Sequence, residues 1–371
     1  MKINDRILCR EERAIFALRE LYGRYGYSQY TMSKFEEYEF YIRNKDFLLS
    51  DNIITFNDPN GKLMALKPDV TLSIIKNSTV APDAVQKVYY DENVYRVAKG
   101  GGGFREIEQV GLECVGAIDD YHLCEVLALA AESLGSIAPG GVLDISHQGV
   151  VTALLDDNGV PADVQTALLE CIGQKNAHEA TALCEAAGVS PAVTEALRRL
   201  IGTHGAPAAV LPALREALQP LMDIAPLTQL ERVLAAFDGT PLAAMMQVDF
   251  SVTANRRYYN GIVFKGFLPD IPDSVLSGGQ YDPLLRRMGR EGGAIGFAVY
   301  LDRLSMLNDR DAYDVDTVLL YDDTADLTVL RHVVDELAAG GGSVLARRTA
   351  PTKLTYRRLL QLVDGEVTDI G

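Results

Sequence analysis

The sequence predicts an α+β protein in which two β-rich stretches are separated by a mainly helical region and followed by a small α/β unit. Residues 52–67, NIITFNDPNGKLMALK, read as two strands around an Asp-Pro-Asn-Gly turn, which is a strong hairpin signal. From about 125 to 245, Ala and Leu dominate and apolar residues follow helical spacing. Beyond residue 310, strand and helix patterns alternate, as they do in small α/β units.

The first β-rich stretch begins with a predicted helix over residues 6–24, whose apolar residues recur on one face. The segment TLSIIKN, starting at Thr71, predicts a short helix after the hairpin. Residues 86–98 and 104–117 predict two further strands. The glycine run 100–103 that joins them fits a hairpin tip better than a phosphate-binding loop, because no Lys-Ser/Thr pair follows and no helix begins there.

The rest of the chain predicts helices first and strands later. Helix 125–137 is assigned to the β-rich domain, and Ser190-Pro191 is a plausible N-cap and first residue of a later helix. Strands return at 245–266, and GAIGFAVYLDRLSML predicts a strand running into a helix. The last segment predicts a strand–helix–strand–helix unit, with helices near 325–338 and 355–363. The predicted divisions are 1–134 (core, first part), 135–244 (helical insertion), 245–310 (core, second part) and 311–371 (C-terminal α/β unit).

Composition narrows the function classes. The chain of 371 residues has a net charge of −16, from 35 Lys and Arg against 51 Asp and Glu, which weakens a nucleic-acid function without excluding a local basic patch. We expect no membrane span and no signal peptide, since no long apolar run and no apolar leader are present. Five scattered Cys without a CxxC pair predict reduced thiols in a cytoplasmic protein, and the separated His residues predict no metal site.

A polar row on the strand 104–117 is the feature that carries most information about function. Side chains alternate faces along a strand, so Arg105, Gln109 and Glu113 lie on one face. Such a row is common on the solvated face of an antiparallel sheet, and the alternative interpretation is the floor of a polar ligand cleft. The row alone does not decide between the two.

Five motifs in order resemble a known family. They are ALKPDVT (65–71), FREIEQVGLECVG (104–116) preceded by Arg96, YYNGIVF from Tyr258, SGGQYDPLL (277–285) and GAIGFAVYLDRL (293–304). This series is similar to the signatures of histidyl-tRNA synthetase-like class II catalytic domains. The resemblance implies an antiparallel sheet flanked by helices and a homodimer formed through the first motif. In that motif Ser33 stands where the synthetases have Pro, so the dimer geometry is expected to differ.

On the ATP side, the resemblance implies a degraded site. Ala98 replaces the Glu that reads adenine, and Ile107 replaces the Phe that stacks on it. Ala254 replaces the catalytic Arg before the paired tyrosines, and Tyr300 replaces a motif-three Gly that leaves room for nucleotide. A cation that offsets charge developing on phosphate acts mainly in the transition state, so its loss removes rate. The resemblance therefore implies no catalytic residues and no cofactor.

The amino-acid side of the family site is better kept. An ammonium and an imidazole both donate hydrogen bonds, so carboxylates, an amide oxygen and tyrosine hydroxyls suit them. Asp69 replaces a Glu of the synthetases and is one methylene shorter. The implied histidine-binding residues are Asp69, Thr71, Arg96, Gln109, Glu113, Tyr258 and Tyr259.

A synthetase-like chain without ATP chemistry resembles the regulatory subunits of ATP phosphoribosyltransferase. The resemblance implies a partner, the short-form catalytic subunit of the first step of histidine biosynthesis, which is activated and made sensitive to histidine. It also implies a hetero-octamer of four and four subunits. The segment 311–371 is too short for a complete anticodon-binding domain, so tRNA binding is not expected. A divergent active synthetase and a stand-alone histidine-binding paralogue remain the alternatives.

Overall fold

The computed structural model describes residues 8–48, 53–78, 80–81, 83–98, 103–253, 258–307 and 313–371. The chain divides into two compact units, Met1–Leu307 and Asn308–Gly371. The larger unit carries the candidate site, and each unit is described by itself.

The larger unit contains most of the helices and strands. Its helices are α1 Arg10–Arg24, α2 Tyr38–Arg43, α3 Thr71–Asn77, α4 Asp120–Ile137, α5 Gln148–Asp156, α6 Ala162–Gly173, α7 Ala177–Ala186, α8 Pro191–Gly202, α9 Pro207–Leu218, α10 Ala225–Ala235 and α11 Asp282–Arg287. Its strands are β1 Ser28–Gln29, β2 Phe35–Glu37, β3 Thr55–Asn57, β4 Leu63–Leu66, β5 Val85–Val97, β6 Phe104–Gly116, β7 Val142–His147, β8 His204–Gly205, β9 Met246–Asp249, β10 Ile262–Phe267, β11 Leu276–Gln280 and β12 Gly293–Tyr300.

A nine-stranded sheet forms the centre of this unit, in the order β1-β5-β6-β12-β11-β10-β7-β9-β8. All neighbouring pairs are antiparallel except β1–β5 and β7–β9, so the sheet is mixed and mainly antiparallel. The predicted strand pair is confirmed, since β5 and β6 pair along their whole length from Val85–Gly116 to Val97–Phe104. This sheet with flanking helices is the predicted α+β, class II-like architecture.

One face of the sheet packs on helices and forms the main core. Val110 and Leu112 of β6, and Phe297 and Val299 of β12, belong to this core together with the fully buried Leu127 of α4. The alternate residues of the same strands face the other way. That second face is where Gln109, Glu113 and Tyr300 lie, because Tyr300 pairs with Gln109 in the register.

The predicted hairpin within 52–67 is confirmed. β3 and β4 pair antiparallel, and β2 adds a third strand on the other side of β4. In the turn, the Asp58 carboxylate accepts hydrogen bonds from the backbone N–H groups of Asn60 and Lys62, each at 2.8 Å. This Asx-type turn explains why the Asp-Pro-Asn-Gly sequence reverses the chain here.

The region between β7 and β9 is helical, as its composition predicts. In α8, Val193, Leu197 and Leu200 are buried on one face. Ser190 caps this helix, since its hydroxyl accepts the backbone N–H of Val193 at 3.4 Å, and Pro191 is the first helical residue. The short strand β8 returns from these helices to the edge of the sheet beside β9. None of the helices in the described residues is long and apolar enough to cross a membrane.

The smaller unit corrects one prediction. It contains β13 Val315–Leu320, α12 Leu327–Ala339, β14 Val344–Arg347, β15 Tyr356–Val363 and β16 Glu366–Asp369, in the sheet order β14-β13-β15-β16. The helix predicted near 355–363 is wrong, because this segment is strand β15. Leu360 and Leu362 alternate into the core, and Asp364 and Gly365 form the turn to β16 with positive φ angles of 50° and 84°. An Asp-Gly turn of this kind is typical of a two-residue hairpin.

Candidate functional site

The floor of the candidate site is built by strands β6 and β12. Glu113 lies opposite Gly296, and Gln109 lies opposite Tyr300. Both β6 side chains are buried, with exposed fractions of 2% and 4%. A Cβ atom on Gly296 would lie 1.8 Å from Glu113 Oε2, so only glycine leaves room for this carboxyl group. The tight spacing fixes the position of Glu113 on the floor.

Above this floor is a cavity of about 330 Å³. That volume lies at the lower end of the range for small-molecule sites. All the side chains assigned to histidine binding from the sequence line it: Asp69, Thr71, Arg96, Gln109, Glu113, Tyr258 and Tyr259. They come from four separate parts of the chain, and the fold brings them together.

Glu113 is the centre of the hydrogen-bonding network in the cavity. The Thr71 hydroxyl donates to Glu113 Oε1 at 2.6 Å, and the Tyr281 hydroxyl donates to Oε2. Burial raises the pKa of Glu113 to about 8, although these two hydroxyl groups oppose the shift. A cationic ligand group would favour the carboxylate form, because a nearby opposite charge stabilises the ionised state. The site is therefore suited to a ligand that brings a positive charge or strong N–H donors.

The segment before α3 carries Asp69 and is held rigidly against β5. Lys67 is fully buried and forms an ion pair with Glu92 at 2.7 Å. Arg96 Nε donates to the Pro68 carbonyl oxygen at 3.1 Å. Burial raises the pKa of Asp69, while its backbone hydrogen bond and the Arg96 charge lower it. The second carboxylate of the cavity thus sits on a fixed segment beside a cation.

Three tyrosines form an aromatic wall. The ring centroids of Tyr258 and Tyr259 are 4.5 Å apart, and those of Tyr258 and Tyr281 are 5.7 Å apart. Burial raises the pKa of all three hydroxyl groups well above the ordinary tyrosine value. These groups remain neutral hydrogen-bonding partners at physiological pH, and their rings can pack against a flat ligand such as an imidazole.

Of the four positions assigned to a degraded ATP site, three lie within the described residues. Tyr300 lines the cavity, and its hydroxyl group is 2.6 Å from Ser277 Oγ. Ile107 packs against an apolar cluster that contains Val70 and Tyr90, two residues that also line the cavity. Ala98 directly follows β5, and its N–H donates to the Gly103 carbonyl oxygen. Ala254 lies outside the described residues. The assignment of these positions to a lost nucleotide site stays a prediction.

The polar row on β6 divides into two parts. Gln109 and Glu113 line the cavity, which supports interpreting the row as a cleft floor. Arg105 does not, because it lies on the solvent-exposed part of the strand and pairs with Asp302 at 3.1 Å. The reason is the length of β6, which extends past the end of β12 so that its first residues pair only with β5.

Several cavity residues were not identified from the sequence. Tyr281, Ser277, Tyr90 and Lys265 all line the cavity. Tyr281 and Ser277 belong to the SGGQYDPLL motif, so the motif itself was an available signal. Tyr90 and Lys265 had no comparable signal, because only the cross-strand register places them here.

One group in the described chain has the donor atoms for a metal ion. The ligand atoms of Asp144, His204 and Asp249, on β7, β8 and β9, all lie within 4.8 Å of one another. Asp249 already forms an ion pair with Lys175 at 2.6 Å. The Lys175 ammonium group therefore already neutralises the buried Asp249 carboxylate of this group.

The raised pKa of Glu113 predicts a pH-dependent stability. Its pKa is about 8 in the folded chain against 4.5 as the ordinary value, so the folded state keeps a proton that the unfolded chain releases. The contribution of this group to the free energy of unfolding should fall as pH rises from about 5 to about 8, by up to ~1.4 kcal/mol per pH unit. We expect Glu113→Gln to remove this slope in urea unfolding between pH 5 and 9. If the free energy of unfolding of the two proteins depended on pH in the same way, the pKa of Glu113 would not be raised and the prediction would be wrong.

Comparisons with known proteins agree with the geometry. The family model described as histidyl-tRNA synthetase matches residues 6–304. A curated relative from Alkaliphilus metalliredigens (strain QYMF), named ATP phosphoribosyltransferase regulatory subunit, is 28% identical over 305 residues, covering 80% of this chain and 76% of the relative. A protein of the same name from Caldanaerobacter subterraneus subsp. tengcongensis is 27% identical over 299 residues, covering 79% and 77%.

Solved structures share the fold. A structure from Bacillus halodurans C, titled an ATP phosphoribosyltransferase regulatory subunit/histidyl-tRNA synthetase, superposes with a TM-score of 0.74 at 21% identity, covering 95% of this chain and 93% of that one. A chain of the ATP phosphoribosyl transferase (HisG:HisZ) complex from Thermotoga maritima gives a TM-score of 0.60 at 21% identity, covering 78% and 97%. From the match over residues 6–304, the conclusion is that this chain belongs to the histidyl-tRNA synthetase family.

Proposed function

We propose that the chain is a non-catalytic regulatory subunit of ATP phosphoribosyltransferase. It activates a short-form catalytic subunit in the first step of histidine biosynthesis and takes part in feedback inhibition by histidine. Support comes from curated relatives of that name at 25% to 30% identity, whose matches span most of this chain. In this role the chain performs no chemistry, and its synthetase-like site serves as a sensor.

The observation that carries this proposal is the asymmetry of the cavity. Groups suited to an amino acid with an imidazole are present and pre-positioned: the Asp69 and Glu113 carboxyl groups and the aromatic wall of Tyr258, Tyr259 and Tyr281. We propose that histidine binds here, with its N–H donors directed to these carboxyl groups. The network of Thr71, Glu113 and Tyr281 supports this, because it holds an acceptor group in a single position before any ligand arrives.

A second part of the proposal concerns the region of the cavity around Tyr300. The Tyr300 ring lines the cavity, and its hydroxyl group forms a hydrogen bond with Ser277. The Arg303 guanidinium lies 5.1 Å from the centroid of this ring in a cation–π contact. Arg303 is in turn anchored, since it donates to the Ser274 carbonyl oxygen. We propose that this arrangement excludes ATP, because the anchored arginine and the bonded ring would both have to move.

The assembly is a further part of the proposal. We propose a homodimeric core that joins the catalytic subunit in a hetero-octamer of four and four, and no binding of tRNA. The three-stranded sheet β2-β4-β3 supports a contact with a second copy. Phe35 and Phe56 are exposed on this sheet and pack edge to face, with ring centroids 5.8 Å apart. Adjacent exposed apolar side chains extend an apolar patch, and it is large contiguous patches that mark interaction sites.

Two other functions would show different behaviour. A divergent active synthetase would catalyse histidine-dependent exchange between ATP and pyrophosphate. A stand-alone histidine-binding paralogue would bind histidine but would not co-purify with a short phosphoribosyltransferase subunit. Co-expression of the tagged chain with such a catalytic subunit tests the proposal directly: a stable complex supports it, and two separately eluting proteins would contradict it.

Histidine binding should depend on Glu113. Glu113→Ala removes an acceptor for a ligand N–H, and we expect the affinity for L-histidine to fall by about 1.5–3 kcal/mol, the usual contribution of a hydrogen bond to a charged group. Isothermal titration calorimetry on the full chain measures this. Glu106→Ala is the matched control, because Glu106 is exposed on the opposite face of the same strand. Equal affinities for the Glu113 variant and the unchanged chain would show that histidine binds elsewhere.

A further inference from the structure

The charged groups of the cavity are arranged with opposite signs on different strands. The carboxyl groups of Asp69 and Glu113 lie towards β6, whereas Lys265 lines the cavity from β10. In the sheet order, β10 is three strands away from β6. At roughly 4.8 Å per strand this separates the two backbones by about 14 Å. Glu113 and Lys265 both line the cavity that lies between these strands, and its volume of about 330 Å³ has room for a small dipolar molecule.

Lys265 has no partner for its charge within the described residues. It is half-buried, and it lies between Asp144 of β7 and Ser277 of β11 in the register. Lys265 and Asp144 form no ion pair, and Asp144 Oδ1 is buried with no hydrogen-bond donor among the residues that the structure describes. Because Lys265 does not pair with the carboxylate opposite it and lines the cavity, it is available to a ligand.

The surroundings of Lys265 suit an anionic group. Ser277, its neighbour in the register, carries a hydroxyl that is paired with the Tyr300 hydroxyl. A half-buried cation without a counter-ion is unfavourable, and binding an anion removes that cost. The other cation of the cavity, Arg96, is differently placed: its charge acts on Asp69, and its Nε already donates to the Pro68 carbonyl oxygen.

We propose that Lys265 binds the carboxylate of the amino-acid ligand, while the carboxyl groups near β6 bind its N–H donors. This inference rests on the proposed function, in which the ligand is histidine. It makes Lys265 the residue that distinguishes an amino acid from the corresponding amino alcohol or amine. Selection of this kind would let the site respond to histidine and ignore a related molecule that lacks the carboxylate.

The test compares two ligands that differ only at this group. L-Histidine and L-histidinol share the imidazole and the amino group, but histidinol has a hydroxymethyl group in place of the carboxylate. We expect Lys265→Met to weaken L-histidine binding by about 10- to 100-fold and to leave L-histidinol binding unchanged, as measured by calorimetry on the full chain. Lys265→Arg keeps the charge and should retain most of the preference for histidine. Asp144→Asn is the control for a local structural effect and should change neither affinity.

The outcomes separate this inference from the proposed function. If the unchanged chain binds neither ligand, both the proposed histidine site and the proposed role of Lys265 are wrong. If the chain binds histidine but Lys265→Met and Lys265→Arg each weaken the two ligands equally, only the role of Lys265 is overturned. The same holds if Arg96→Met, and not Lys265→Met, removes the preference for histidine. Selective loss of histidine binding in a Lys265→Met protein with an unchanged unfolding temperature supports the inference.

Discussion

The chain alone should show no histidine-dependent exchange between ATP and pyrophosphate. Within the cavity, the Tyr300 hydroxyl group forms a hydrogen bond with Ser277 and the Arg303 guanidinium lies beside the Tyr300 ring, an arrangement that we propose excludes ATP. Ile107, assigned to the adenine-stacking position, is aliphatic and has no aromatic ring that could stack on adenine. Loss of one preorganised donor to the developing charge lowers an enzymatic rate by about 10²–10³-fold, and here adenine binding would be lost with it. The expected exchange rate is therefore at background.

The measurement needs saturating L-histidine and an active histidyl-tRNA synthetase as positive control, since typical turnover numbers are about 1–10³ per second. Tyr300→Gly and Ala254→Arg, singly and together, are informative variants. Each restores one group of the family pattern, and we expect neither alone to give exchange, because the adenine contacts remain absent. Exchange at a synthetase-like rate by the unchanged chain would overturn the regulatory function and support an active, divergent synthetase.

Elements stabilised by local interactions were predictable from the sequence. The hairpin around Asp58 and the N-cap at Ser190 are set by side-chain hydrogen bonds within a few residues. The error at Tyr356–Val363 has the opposite cause. Leu359, Leu360, Leu362 and Val363 fit both a helical and a strand spacing, and pairing with the distant strand β13 decides in favour of a strand. The local signal that was available, Asp364-Gly365, marks the turn after this strand.

The candidate site shows the same division. Glu113 and Gln109 were predictable as partners because strand periodicity places them on one face. Their proximity to Asp69 and Tyr258 was predicted from the family resemblance and not from a local sequence pattern. Lys265 could not be predicted by either route, because its position in the cavity depends on the register of β10 against β7 and β11. A residue that enters a site only because of cross-strand register cannot be identified from a single sequence.

Adding this chain to a short-form catalytic subunit should raise the rate of phosphoribosyl-ATP formation, and histidine should then inhibit the complex more than the catalytic subunit alone. A subunit without its own chemistry can act only by contacting one conformation of its partner better than another. Coupling of this kind typically amounts to ~1–3 kcal/mol, or about 5–150-fold. Because coupling is reciprocal for binding, histidine should also bind the less active conformation of the complex more tightly.

The experiment measures phosphoribosyl-ATP formation at micromolar concentrations of both proteins, with and without L-histidine. In the complex, Glu113→Ala should shift inhibition to higher histidine concentrations by the same factor by which it weakens histidine binding to the chain. Equality of these two factors is the decisive point, because it follows only if the cavity around Glu113 is the inhibitory site. Activation with unshifted inhibition would place the histidine sensor outside this cavity. A rate that does not change when this chain is added, with no association of the two proteins, would favour the stand-alone paralogue.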